Sequence, residues 1–384
     1  MLSCFITCFY CFINLIFYRP IFLLNMNHRI LFDYYEDDEI DEAVIALQRR
    51  PRIFYERVNY LELYDNHDFM CRFRISKETF RTLLRLIEAD ISPHSQRNRA
   101  ILAPCKLYMM LRYLATGSFL LTVADFTGVS ESSACRYVHQ VCRAIARHRS
   151  KFIYFPKNDV DMRKVVSGFY SLSRFPKVVG AVDCTHIKIQ SPDGDNAETF
   201  RNRKGYFSIN TQCICNPWLK IMDIVARWPG SSHDQIIFDN SLIKSKFENE
   251  TIKGYLLGDG GYEVKPYLMT PLLNPTTRSQ QLYNESQIRT RNVIERCFGV
   301  LKRRFPVLSK GIITSLINTQ AIIVSCAIIH NICIDLHDEL PYDILQEGYG
   351  IENIAEDNHP NLIGVTRGRQ ERDRLIRDHF GNLE

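Results

Sequence analysis

Two kinds of apolar spacing divide this chain. From about Ile75 to Phe155 the apolar residues recur three and four apart, the period of helices that pack by one face. Ser76 predicts a helix N-cap, and Phe80, Leu83, Leu84 and Ile87 supply the buried stripe behind it. Pro104 predicts the opening of a second helix through Leu107, Met110, Leu111 and Leu114, closed by Gly117. A short helix over 122–127, a turn at Gly128-Val129 and a longer helix from Ser130 to about His148 read together as a helix-turn-helix. The longer helix buries Ala134, Val138, Val141 and Ile145. It turns Arg136, Gln140, Arg143 and Arg147 outward, at a spacing that reaches phosphates and base edges along a groove. A plain helical bundle with a solvated basic face is the other reading.

From Lys177 the pattern becomes that of strands. Val178 to Ile189 is a β-rich run containing Asp183. Tyr206 to Cys215 and Leu219 to Trp228, separated by Asn216-Pro217, predict an antiparallel hairpin. A helix over 232–247 and a short buried strand, Tyr255-Leu256-Leu257, follow. The prolines between Pro266 and Pro275 argue for a loop or an edge. An amphipathic helix around Glu295, with Ile294, Phe298 and Leu301 buried, and an apolar helix over 319–333 complete the pattern. Such an order predicts an α/β fold, a mixed sheet with helices packed on it, preceded by an all-helical region. Beyond Asp335 the pattern fades, although 367–380 has the length of a terminal helix.

Composition adds bounds rather than an answer. The 384 residues are 46% hydrophobic, enough for a sizeable core, and the net charge of +5 does not by itself announce a nucleic-acid binder. Its distribution says more, since seven basic residues between Gln287 and Lys310 face Glu295 alone. The acidic run from Glu36 to Glu42 reads as a solvated tail. The thirteen cysteines are odd in number, and Cys142, Cys213, Cys215 and Cys326 sit in apolar stretches, so reduced core cysteines are expected. Cys8 and Cys11 form a C-x-x-C pair without a partner pair. The uncharged run Leu2 to Tyr18 lacks the basic start of a signal peptide and is borderline for a membrane span. It reads as a dispensable extension or a gene-model artefact, with an anchor or signal as the alternative. These shifts divide the chain into a hydrophobic extension (1–25), an acidic segment (26–66), a helical domain (67–156), a strand-bearing domain (157–335) and a flexible tail (336–384).

The candidate chemistry lies in three acidic stretches. Asp183 lies inside one strand and Asp259 just past another, between Gly258 and Gly260-Gly261. Glu295 sits on a helix that shares its face with Gly299 and Lys302. Breaking or transferring a phosphodiester calls for charge stabilisation at phosphorus and an activated oxygen. Two divalent cations held by hard carboxylate oxygens can supply both. An aspartate serves where a rigid strand aims it, and a glutamate reaches further from a neighbouring helix. The glycines leave room for ion and substrate, while Lys302, Arg303 and Arg304 are placed to hold flanking phosphates. Singly, each acid is more often structural: a strand-end aspartate caps a turn, and Glu295 pairs with Arg291 four residues earlier. Asp234, in Gly230-Ser231-Ser232-His233-Asp234, reads as a helix cap or a support to the metal ligands. His186 should face away from Asp183 and reads as a core or supporting histidine. The basic loop Arg201 to Tyr206 offers Arg203 and Lys204 to phosphate.

Five motifs occur in order: Asp183-Cys184-Thr185-His186, Asn202-Arg203-Lys204-Gly205, Trp228 to Asp234, Leu257 to Tyr262 and Val293 to Gly299. Tyr283-Asn284 and Ile329-His330-Asn331 extend the set. Over roughly Asp68 to Cys333 the chain resembles the PIF/Harbinger superfamily of DDE transposases and its domesticated, transposase-derived nucleases. The resemblance implies an RNase H-like catalytic core in which Asp183, Asp259 and Glu295 hold Mg²⁺ or Mn²⁺. It implies DNA as substrate, residence in the nucleus, and a Myb/SANT-like accessory protein. Self-association is a further candidate, and a presence in the cytoplasm is compatible with the same reading. A membrane is not an expected partner, although the hydrophobic first 25 residues depart from the family pattern. The reading is therefore a metal-dependent DNA endonuclease of transposase ancestry. The alternative is a catalytically silent, domesticated DNA-binding or regulatory protein that keeps the acids for folding.

Overall fold

The computed structural model describes residues 56–93, 95, 99–341 and 367–383. The apolar run Leu2–Tyr18, the Cys8–Cys11 pair and the acidic run from Glu36 lie outside them. Two short helices, α1 (Tyr60–Leu63) and α2 (Asn66–Phe73), lead in. Helix α3 (Lys77–Ile91) starts at Ser76, whose side chain accepts from the Thr79 amide. Helix α4 (Ala103–Thr116) has Pro104 in its first turn and ends at Gly117 with φ 58°. That residue must be glycine for a second reason, since a Cβ would press on Val307 and Lys310. Helix α5 (Leu120–Thr127) stops at Gly128, with φ 65°, and α6 (Glu131–Ala146) opens on Ser130. The short α7 (Arg149–Phe152) and then α8 (Asp159–Ser173) lead into the sheet.

The sheet is mixed and five-stranded, in the order β3-β2-β1-β4-β5. Strands β1 (Val178–Lys188), β2 (Ser208–Cys215) and β3 (Ile221–Pro229) form an antiparallel meander. On the other edge of β1, the short β4 (Tyr255–Leu257) and β5 (Leu268–Met269) run parallel to it. The segment 232–247 is two helices, α9 (Asp234–Asp239) and α10 (Leu242–Glu248), rather than one. Ser241 breaks it by donating to the Phe238 carbonyl and capping the Lys244 amide, a local alternative to the helix ladder. The long α11 (Arg278–Arg304) begins with a reciprocal capping box between Thr277 and Gln280. Helices α12 (Val307–Lys310), α13 (Leu316–Asp335) and α14 (Arg367–Leu375) follow, and α14 runs into a π-turn, Ile376–Phe380.

Both faces of the sheet are covered. One carries Val182, Ile214 and Leu256 under Phe238 and Phe247 of α9 and α10. The other carries Ala181, Ile187 and Cys213 under α8, α11 and α13. That second core runs without interruption into Phe69, Phe80, Leu111 and Ile145 of the helical region. Helix α13 is long and apolar enough to span a membrane, but most of its side chains are buried in this core, as expected of a helix that is apolar all round. The ten cysteines among the described residues are free, with Cys142, Cys213, Cys215 and Cys326 buried. Segment 367–383 is packed down: Phe380 lies between Phe175 and Tyr283, and Glu371 accepts from the Tyr255 hydroxyl. Gly368 sits so tightly on the Val264–Lys265 backbone that a Cβ would overlap it.

Candidate metal centre

Parallel pairing sets the geometry. Ala181 of β1 faces Leu257 of β4, and there β4 ends while β1 continues beside β2. Asp183 and Asp259 each lie two residues beyond that pair, Asp183 still within β1 and Asp259 just past the carboxyl end of β4, so the two sit at one height where β4 stops. That is where open α/β sheets present ligands. Asp183 keeps a rigid strand on one side and an uncovered edge on the other. Its side chain is 15% exposed, and its Oδ1 accepts from the Cys184 amide. Asp259 is locked by the Gly261 amide, which donates to its Oδ1 at 3.1 Å. None of Gly258, Gly260 and Gly261 has positive φ, and Gly258 and Gly261 serve space rather than turn sign, while a Cβ at Gly260 would meet nothing. A Cβ at Gly258 would press on Tyr262 and Leu268, and one at Gly261 on the Asp259 carboxylate.

The third carboxylate in this group is Asp234. One ligand oxygen from each of Asp183, Asp234 and Asp259 lies within 4.8 Å of the others. The turn from β3 to α9 delivers Asp234, and Gly230 in that turn lies where a Cβ would overlap Ser208 Oγ and Phe200 O. His233 occupies the N-cap position and Asp234 the first position of α9. The buried Asn210 of β2 donates from Nδ2 to Asp234 Oδ1 and to Ser232 O, both at 2.9 Å.

Glu295 is outside that group. Its side chain is 51% exposed, and Arg291 holds it by Nη2–Oε1 at 2.7 Å. The same guanidinium donates from Nη1 to Asp183 Oδ2 at 3.0 Å and is itself 8% exposed. The expected Glu295–Arg291 pair is thus present, extended into a bridge to Asp183. Gln287, one turn earlier on α11 and fully buried, donates to the Gly258 carbonyl at 2.7 Å and so steadies the approach to Asp259.

Electrostatics follow from this crowding. Burial first, then the Asp259 charge, push the Asp183 carboxyl up to about 8 against the opposing pull of Arg291. His186 is held below its usual range by burial, in spite of Asp234, and its Nδ1 lies 3.0 Å from Ser208 Oγ. Burial also raises the Cys184 thiol, which lies 3.4 Å from the Tyr262 hydroxyl.

The basic residues divide by exposure. Arg203 and Lys204 are exposed on a loop built on Asn202, whose Oδ1 accepts from the Lys204 and Tyr206 amides. Arg203 reaches His233, 2.7 Å away, beside Asp234. Lys302 contacts the His186 carbonyl of β1 at 3.4 Å, and Arg303 is half-exposed. Arg304 is a correction, because it is buried and donates to the carbonyls of Arg74 and Asp338, so no phosphate can reach it. On α6, Arg136, Arg143 and Arg147 are exposed, and Arg143 holds Asn318 Oδ1 at 2.6 Å.

The supporting residues Asn210 and Gln287 were not anticipated. Their signal was a polar residue on an apolar stripe: Asn210, Thr211 and Gln212 interrupt a buried strand, and Gln287 interrupts the buried face of α11.

A family profile described as "DDE superfamily endonuclease" matches residues 182–331. "Putative nuclease HARBI1" of Bos taurus is 32% identical over 82% of this chain and 83% of its own length. Its Mus musculus counterpart is 30% identical over 93% and 96%. "Protein ALP1-like" of Arabidopsis thaliana is 24% identical over 72% of each chain. No solved structure matches. The family profile spans Asp183, Asp259 and Glu295, the relatives align over most of both chains, and the protein belongs to the Harbinger-type family of DDE transposase-derived proteins.

Proposed function

We propose that this chain is a divalent-metal-dependent endonuclease that cleaves DNA phosphodiester bonds, with Asp183, Asp259 and Glu295 as its catalytic acids. The carrying observation is the delivery of Asp183 and Asp259 at one height by parallel strands, beside a further carboxylate and an arginine-held glutamate. The donor set suits the ion. Carboxylate oxygens are the hard ligands that Mg²⁺ and Mn²⁺ take, and Asp183 is crowded by negative charge that Arg291 does not offset. Two such ions, when bound, supply Lewis-acid charge stabilisation and an activated attacking oxygen.

The protein's own residues position the substrate. Arg203 and Lys204 on the loop beside His233, together with Lys302, are placed to take backbone phosphates on either side of the acids. In this reading the sheet is an RNase H-like core, for which the strand order and the two acids at the level where β4 ends are the support. Helices α5 and α6 act as a helix-turn-helix, in which Arg136, Arg143 and Arg147 meet DNA and Arg143 exchanges Asn318 for a phosphate. On this reading a DNA substrate calls for residence in the nucleus, with a presence in the cytoplasm compatible, and a Myb/SANT-like protein is the proposed accessory partner.

Nicking of supercoiled DNA tests this. With Mg²⁺ or Mn²⁺ the wild type should nick, while Asp183→Asn and Glu295→Gln should be slower by two or more orders of magnitude. Equal nicking by all three would refute the assignment, and none by the wild type would favour a silent DNA-binding protein.

A further inference from the structure

We infer that Asp234 is a direct ligand of the catalytic cation, forming with Asp183 and Asp259 the set that captures it, whereas Glu295 is not part of that capture set. The inference rests on the metal-dependent reading above and changes which residues hold the ion.

Distance is the first ground. The three aspartates offer oxygens within 4.8 Å of one another, so a few tenths of an ångström of closure brings them to the roughly 4.2 Å that opposite ligands of a magnesium-sized ion span. Glu295 lies outside that group, with Oε1 engaged by Arg291 Nη2 at 2.7 Å, so the guanidinium stands between it and Asp183. Charge is the second ground. Among the described residues Arg291 is the cation paired with Asp183, and it is shared with Glu295, while Asp234 and Asp259 bring two further carboxylates to within 4.8 Å of Asp183. Like charges gathered at that spacing in a partly buried place favour a cation shared among them.

The third ground is how Asp234 is held. A purely structural aspartate at the start of a helix caps backbone amides. Asp234 instead follows the N-cap and is oriented by a side chain, the Asn210 amide. Asn210 is 1% exposed, and its own Oδ1 has no partner among the described residues. A buried amide with an unmet acceptor is an expensive device for a surface turn. It fits an outer support that fixes a ligating carboxylate, as such residues do around metals. Gly230 contributes the same constraint from the backbone side.

Mn²⁺ binding to the full chain, by calorimetry and by electron paramagnetic resonance of the free ion, tests the inference without a cleavage assay. Asp234→Asn should weaken Mn²⁺ by roughly 100-fold, at or beyond the upper end of what losing a supporting residue costs. Glu295→Gln should change it only a few-fold. In the metal-free state Asp234→Asn should melt at or above the wild-type temperature, because one of three mutually repelling charges is gone. Asp234→Cys is the second variant: a soft thiolate in place of the carboxylate should raise the preference for Cd²⁺ over Mn²⁺ relative to wild type. Wild-type Mn²⁺ affinity in Asp234→Asn, or an unshifted metal preference in Asp234→Cys, would overturn the inference and leave the metal-dependent reading standing. Absence of Mn²⁺ binding by the wild type would overturn both.

Discussion

Replacing Asp183 by asparagine should stabilise the metal-free protein at alkaline pH, although it removes a residue proposed to be essential. Asp183 Oδ2 is 3.0 Å from Arg291, while Asp234 and Asp259 approach it to within 4.8 Å. At an effective dielectric near 20 the attraction is worth ~5 kcal/mol and each repulsion ~3 kcal/mol, so the charge pairs nearly cancel. Burial then decides the sign, and the carboxyl is pushed up to about 8. The folded state therefore holds a proton that the unfolded chain has released from about pH 4 upward, and stability falls as pH rises across that window. At pH 7 the full cost is ~4 kcal/mol, from 1.36 kcal/mol per pKa unit. Asparagine keeps the shape but weakens the bond to Arg291, a loss of ~1–3 kcal/mol. The expected net gain in EDTA at pH 7 is about 1–3 kcal/mol by urea unfolding, growing somewhat by pH 8 and shrinking to nothing near pH 4. Saturating Mn²⁺ should reverse the order, since a ligand at 100 times its Kd adds ~2.7 kcal/mol to the wild type alone. If Asp183→Asn were no more stable than wild type in EDTA at pH 8, the account of crowded, uncompensated charge would be wrong.

Four further outcomes follow from the same contacts. Arg291→Met leaves Asp183 and Glu295 unpaired and should cost about 3–5 kcal/mol at pH 8, with Arg291→Lys intermediate, as read by denaturant melts. Gln287→Leu frees the Gly258 carbonyl and should lower Mn²⁺ affinity ~10-fold by calorimetry, with little change in the metal-free melting temperature. Phe380→Ala empties a slot between Phe175 and Tyr283 and should cost ~3–5 kcal/mol, with faster proteolysis of segment 367–383. Arg304→Ala should destabilise the fold without changing the salt dependence of DNA binding, whereas Arg203→Ala should lower that salt slope by about one.

Much of the fold could be read in advance because its signals are local. Ser76, Ser130, Gly117 and Gly128 mark helix ends through bonds made within one turn, and the structure uses each in that way. The strands β1 to β4 were equally visible, from β-rich runs bounded by Asn, Pro and Gly. The break at Ser241 was not, because a side chain that can either continue or cap a helix is decided by what the helix packs against. The same limit applies at the site. Asp183 and Asp259 could be paired on paper, since each ends an apolar run. Nothing in one dimension placed Asp234 within reach of them, because that proximity depends on the turn at Gly230 and on Asn210, 24 residues earlier. Nor could spacing tell that Arg304 turns inward while Lys302 and Arg303 do not, since its carbonyl partners come from Arg74 and Asp338.

Asp338 closes a longer circuit. Its carboxylate accepts from the Ser76 amide and the Thr79 hydroxyl, 262 and 259 residues back, while Arg304 holds its carbonyl. The first helices, the central sheet and α13 share one core across that span. On a ribosome the early helices would emerge and meet one another long before α12 and α13, which complete the burial of their apolar faces. They must wait through some 250 further additions, at about 5–20 residues per second, with hydrophobic surface open to other chains. Native pairings of such wide sequence separation also form slowly once synthesis ends. Yield in a heterologous host should therefore respond to translation speed and chaperone supply more than to sequence changes on the surface.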